Sequence, residues 1–310
     1  MKYHVEKEWV LTKLDDPNIR IADCRFKLGS PEEGRSLYNL SHIPNAVHFD
    51  LEKDLSGPVK EHGGRHPLPD PSQFREVLEK AGISRDTTVI AYDGGEGAFA
   101  ARFWWLLRYL GHDKVYVLNG GYKEWAESAY PLNNKVPRFG QADFKIELQP
   151  DIFASYEEVK EFTDNQDTAV IVDSREEKRY LGLEEPIDKK AGHIPGAINR
   201  VWFEAYKNGR FKEAEEQEKR FADIDKNKPV IVYCGSGVTA APNFLALKEA
   251  GFPNVKLYAG SFSDWISYER NKIETVEKIE KSLFKKGIFL LLKLLYNLKS
   301  LIVFENGGVK

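Results

Sequence analysis

The sequence predicts an α/β protein of two tandem domains, each a mostly parallel sheet with helices on both faces, followed by an apolar helical tail. Three observations carry this. The chain matches itself at a spacing of about 150 residues, which marks a duplicated domain rather than a solenoid. Each copy holds short runs of β-branched and apolar residues that enter glycines, as buried strands do. Helical stretches lie between these runs, and strands alternating with helices imply a parallel sheet covered on both sides.

The elements pair off in order. IRIADCR, closing on Asp23 and Arg25, matches AVIVDSR, closing on Asp173 and Arg175. Turns built on HIP follow, so His42 matches His193 and Pro44 matches Pro195. Next come the strands TTVIAYDGG and KPVIVYCGSG, then the helical stretches AFAARFWWLLRYLG and TAAPNFLALKEAG. Gly111 and Gly251 close these as C-terminal caps, since glycine accepts the left-handed backbone there. A third strand, KVYVLNGG against NVKLYAGS, leads to a helix holding Trp125 or Trp265. The expected domains are therefore 1–135 and 154–275. A polar, turn-rich linker spans 136–153, and the tail covers 276–310.

At 310 residues the chain has room for two domains of ordinary size. A net charge of −3 provides no field for a polyanion, so no nucleic-acid partner is expected, whereas a small anionic substrate is compatible with a local basic site. The first ten residues are charged and lack the apolar core of a signal peptide, so a cytoplasmic location is expected. There the two cysteines, Cys24 and Cys234, are expected to be free thiols. No His, Cys and carboxylate set has metal-ligand spacing, so neither metal nor cofactor is expected. Residues 285–304 read, as a helix, as a broad apolar face with a narrow polar stripe of Lys293, Asn297 and Ser300. The expectation is a helix packed on the body or on another copy, with a cationic helix on a membrane surface as the alternative.

The copies differ at one place. The middle strand ends in Cys234 in the second copy and in Asp93 in the first, so packing does not dictate the residue and the chemistry belongs to the second copy. After Cys234 come Gly235, Ser236, Gly237, Val238 and Thr239, between a buried strand and a helix start. Glycines let successive N–H groups turn toward the sulfur, and the helix adds its positive end; both favour a thiolate nucleophile. The same ring of donors suits the outer sulfur of a persulfide. A P-loop is excluded because the loop lacks the Lys-Ser/Thr ending. Phosphatase chemistry is disfavoured because Ala240 stands where those enzymes place an arginine to clamp the phosphoryl group.

Paired halves, HIP turns, a middle strand ending in Cys and GG/GS-x-x-x-W endings together resemble the tandem-domain rhodaneses over roughly residues 5–270. The resemblance implies an inactive first domain and a catalytic second one. The loop CGSGVTA is similar to the 3-mercaptopyruvate sulfurtransferase branch; the thiosulfate branch usually carries basic residues where Gly235 and Ser236 stand. It implies a double displacement, with Cys234 taking sulfur as a persulfide and a thiol acceptor such as thioredoxin, or cyanide, removing it. It also implies a relay of Ser236, His66 and Glu52, and donor binding by Arg179 and by the loop residues Gly235, Gly237, Val238 and Thr239. A second arginine of that branch would fall at Asp188, which resembles the thiosulfate branch instead; Lys189 or Lys190 is the expected substitute. Thiosulfate:cyanide transfer and a sulfur-carrier module docking to a partner stand as the competing functions. His42, His193 and the Asp–Arg pairs recur in both copies and are expected to be structural, as are Cys24 and the aromatic run Phe103–Trp105.

Overall fold

Residues 2–165 and 168–276 are described in this computed structural model; the apolar segment 285–304 lies outside them. The first half holds β1 (His4–Val5), α1 (Lys7–Leu11), β2 (Ile19–Asp23), α2 (Pro31–Leu40), β3 (Ala46–His48), α3 (Pro71–Lys80), β4 (Thr88–Tyr92), α4 (Ala98–Tyr109), β5 (Val115–Leu118) and α5 (Gly121–Glu127). The second holds α6 (Tyr156–Asp164), β6 (Val170–Asp173), α7 (Glu177–Leu181), β7 (Ile198–Asn199), β8 (Tyr206–Lys207), β9 (Arg210–Phe211), α8 (Ala214–Arg220), β10 (Val230–Tyr233), α9 (Ala241–Glu249), β11 (Val255–Leu257) and α10 (Ser261–Trp265). Each half forms its own parallel sheet, in the order β1-β5-β4-β2-β3 and β11-β10-β6-β7. The middle strands β4 and β10 are wholly apolar in their inner residues because parallel strands are covered on both faces.

The matched features form matched structures. Gly111 and Gly251 both take the left-handed backbone just after α4 and α9, which is why glycine recurs there. His42 and His193 lie buried and place Nδ1 at 2.7 and 2.6 Å from the carbonyls of Tyr38 and Tyr180, stacking on those rings. Arg25 and Arg175 each fork onto the aspartate two residues back, 2.6 Å away. Tyr233 Oη accepts the N–H of Ile194 at 3.1 Å, tying the end of β10 to the second HIP turn.

The halves meet through their helices. Ala98 to Leu107 of α4 are all buried, and such an all-round buried helix requires apolar neighbours on every side. Those neighbours come partly from α9: Trp104 packs on Phe244 with ring centroids 6.2 Å apart, and one apolar core runs through both halves. Residues 136–153 contain no α-helix or strand, yet they are pinned to the first half. Phe144 is buried, and Ala142 and Glu147 donate N–H bonds to the carbonyls of Glu79 and Leu110.

Candidate active site at the domain junction

Cys234 follows β10 directly, and its side chain is buried. Gly237 donates its N–H to Cys234 Sγ at 3.1 Å, and its left-handed backbone permits that turn. Ser261 accepts the Cys234 N–H at 3.1 Å, and its Oγ lies 4.0 Å from Sγ. It does so in a left-handed conformation, φ 56°, where the first copy has Gly121 at 58°. A serine held there carries strain, as residues at functional sites often do. Among the described residues, nothing accepts from the backbone N–H groups of Ser236, Val238, Thr239 and Ala240.

The first half shows the same kind of loop filled. Asp93 Oδ1 accepts from Gly95 and Gly97 at 3.0 and 2.9 Å, and Oδ2 accepts from Phe99 and Ala100 at 3.1 and 3.2 Å. A carboxylate occupies the donor ring of this copy. The two loops are not equal in length, for the capping Gly111 stands 18 residues after Asp93 and its counterpart Gly251 stands 17 after Cys234.

A loop of the first half completes the site. Gly63 donates to Asp264 Oδ1 at 2.7 Å and Arg65 N–H donates to Ser263 Oγ at 3.1 Å, fastening the loop to α10. Gly64 is required there: its φ is +81°, and a Cβ would overlap the Gly260 carbonyl oxygen. His66 is thereby delivered to Ser236, Nδ1 to Oγ 2.7 Å. Burial first, and then the charges of Arg102 and Arg65, lower the His66 pKa to about 4, so its ring is neutral at physiological pH. Arg102, fully buried in α4, donates to the carbonyls of Gly237 at 3.2 Å, His66 at 3.2 Å and Leu55 at 3.4 Å, bracing both sides of the junction. Burial lowers its pKa to about 10, which leaves it cationic.

The structure thus brings together Cys234, Ser236 and His66 with Gly235, Gly237, Val238 and Thr239. Glu52 is not joined to them. It is exposed, its N–H goes to Asp50 Oδ1 at 2.9 Å, and among the described residues it makes no hydrogen bond to His66. Arg179 lies beside the loop, held by Glu185 at 2.8 Å and Asp188 at 3.0 Å. Lys189 and Lys190 are exposed. The cation beside Asp188 is instead Arg65, in an ion pair with it. Sequence reasoning missed Arg65, Arg102 and Ser261. The first adjoins His66 in GRHPLP, the second is the inner of two arginines in a largely apolar helix, and the third is the serine of the GS ending. Both thiols are free, and burial pushes Cys24 well above the usual thiol range. Among the described residues no group of three or more His, Cys, Asp or Glu could hold a metal ion.

A model of the Rhodanese-like domain matches the chain twice, over residues 6–128 and 155–268. The chain is 42% identical over 269 residues to a probable 3-mercaptopyruvate sulfurtransferase of Pseudomonas aeruginosa, covering 85% of this chain and 94% of that one. It is 35% identical over 259 residues to the thiosulfate sulfurtransferase of Mus musculus, covering 80% and 85%. Among solved structures, the Escherichia coli 3-mercaptopyruvate sulfotransferase SseA superposes with a TM-score of 0.75 at 34% identity, over 85% of this chain and all of that one.

Proposed function

This chain belongs to the rhodanese family, and from that premise we propose that it is a sulfurtransferase moving sulfur from 3-mercaptopyruvate to a thiol or cyanide through a Cys234 persulfide. The contrast between the two loops supports this most. Where the first copy fills its N–H ring with the Asp93 carboxylate, the second offers unclaimed N–H groups above a thiol. Such a ring stabilises an anion that arises only during turnover, as preorganised donors do.

In the first half-reaction the Cys234 thiolate attacks the donor sulfur, an S–S bond forms and the C–S bond breaks. The electron pair of that bond leaves on carbon as the enolate of pyruvate. The donor's thiol proton passes through Ser236 and the neutral His66 ring to that carbon, giving pyruvate and the persulfide anion. Glu52 has no part in this route. In the second half-reaction a thiolate or cyanide attacks the outer sulfur, and Cys234 leaves as the thiolate. A dithiol protein of the thioredoxin type fits as acceptor, because its second thiolate attacks the inner sulfur of the resulting persulfide, closing its own disulfide and releasing hydrosulfide.

Steady-state rates with 3-mercaptopyruvate and with thiosulfate, using cyanide or dithiothreitol as acceptor, test the reading. Wild type should turn over 3-mercaptopyruvate faster, and Cys234→Ser should turn over neither. Activity surviving in Cys234→Ser refutes the nucleophile, and thiosulfate as the better donor refutes the donor assignment.

A further inference from the structure

The sulfurtransferase reading leaves one question open, namely what holds the anionic end of the donor. Arg179 is poorly placed to do so alone. Its Nε and Nη2 are spent on Glu185, and Nη2 also donates to Asp188. Arg65 is engaged differently. Only its Nη1 has a side-chain partner among the described residues, Asp188, while Nε and Nη2 have none. Its side chain is 33% exposed, so those donors remain reachable by a small molecule. The guanidinium also stands over the catalytic loop: a Cβ built on Gly235 would lie 2.8 Å from Arg65 Nη2. The space beside Cys234 that a side chain at 235 would fill is taken by a cation from the other domain.

We propose that Arg65 is a substrate-binding and specificity-determining residue that receives the donor's carboxylate, seated by the Gly64 turn, aimed by Asp188 and admitted by the absence of a side chain at Gly235. This rests on the sulfurtransferase reading and deepens it. A planar guanidinium offers a carboxylate two parallel N–H donors, which a lysine cannot. Asp188, with a side chain only 2% exposed, pairs with both Arg65 and Arg179 at rest, and its charge opposes that of the incoming donor.

The experiment measures kcat and KM for 3-mercaptopyruvate in wild type, Arg65→Gln, Arg65→Lys, Gly235→Ala and Asp188→Asn, with thermal melting as a fold check. Arg65→Gln should raise the donor KM about 10- to 100-fold, the range of one hydrogen bond to a charged group. The KM for dithiothreitol should stay unchanged, because the acceptor does not use that contact. Arg65→Lys should recover part of the loss. Gly235→Ala, whose backbone is not left-handed, should reproduce the loss by displacing the guanidinium. Asp188→Asn should lower the donor KM severalfold, because it removes the opposing charge while its amide oxygen can still accept from Arg65 and keep it aimed. An unchanged donor KM in Arg65→Gln, with wild type active, overturns the proposal and leaves the sulfurtransferase reading standing. A normal KM in Gly235→Ala likewise overturns it. A wild type inactive with 3-mercaptopyruvate overturns both readings at once.

Discussion

His66 makes the fold sensitive to acid in a calculable way. Its pKa falls from 6.5 to about 4, chiefly through burial, with Arg102 and Arg65 adding positive charge nearby. The folded value lies below the unfolded one, so between these limits it is the unfolded chain that takes up the extra proton. Stability is therefore complete above pH 6.5 and is lost as pH falls through the window. Each pKa unit corresponds to about 1.4 kcal/mol, which makes the full contribution about 3 kcal/mol. Integrating the two titrations from pH 7 to pH 5 gives a loss of about 2 kcal/mol from this ring alone. Urea denaturation at the two pH values, on wild type and on His66→Gln, isolates it. The variant should lose about 2 kcal/mol less than wild type over that interval. His4, whose pKa burial lowers to about 3, supplies a similar loss in both proteins and cancels in the comparison. An equal drop in the two proteins would refute the assignment of a neutral, desolvated His66. The same protonation state has a kinetic signature: the donor half-reaction should show no titration near pH 6.5, where an ordinary imidazole would produce one.

Two substitutions test the architecture around the sulfur. Ser261→Gly should leave the melting temperature within a few degrees of wild type, because relief of about 1–3 kcal/mol of backbone strain offsets the lost hydroxyl contacts, yet persulfide formation should slow. Unchanged single-turnover rates by intact mass would remove Ser261 from the site. Gly237→Ala forces a Cβ into the Ala259 carbonyl at φ +77°, and should cost about 3 kcal/mol or more in chemical denaturation together with most of the activity. A variant close to wild type would mean that the loop does not need glycine there.

Much of this was legible from residues alone, since duplication prints the same physical requirements twice. The capping glycines, the HIP histidines and the Asp–Arg forks recur because each satisfies a backbone or charge demand local to a few residues. Cys234 was likewise readable, since its role follows from the strand-loop-helix around it, whereas the relay role of Ser236 came from the resemblance. His66 was reached only through resemblance. Contacts that depend on how the halves dock left little trace. Arg65 and Arg102 act across the junction, one through a loop seated on α10 and the other through a buried helix that braces Gly237 from the opposite domain. Position 188 shows the same limit. The aspartate suggested a missing cation, whereas the structure places one opposite it, from a segment more than a hundred residues earlier in the chain.

The carboxylate locked into the first loop has a use beyond filling that loop's donor ring. Counting atoms outward from Cβ, aspartate and a cysteine persulfide correspond: Cγ stands where Sγ does, and an oxygen where the outer sulfur does, although the sulfur bonds are the longer ones. Nature has thus built a stable replica of the loaded state into one half of the molecule. Transplanting it, as Cys234→Asp, would give a chain charged and shaped like the sulfur-bearing intermediate but unable to discharge. The two loops differ in length and the bonds differ too, so the likeness is one of charge and atom order rather than of every distance. Such a chain would present the charge of the loaded form to a thiol acceptor with no sulfur to give up.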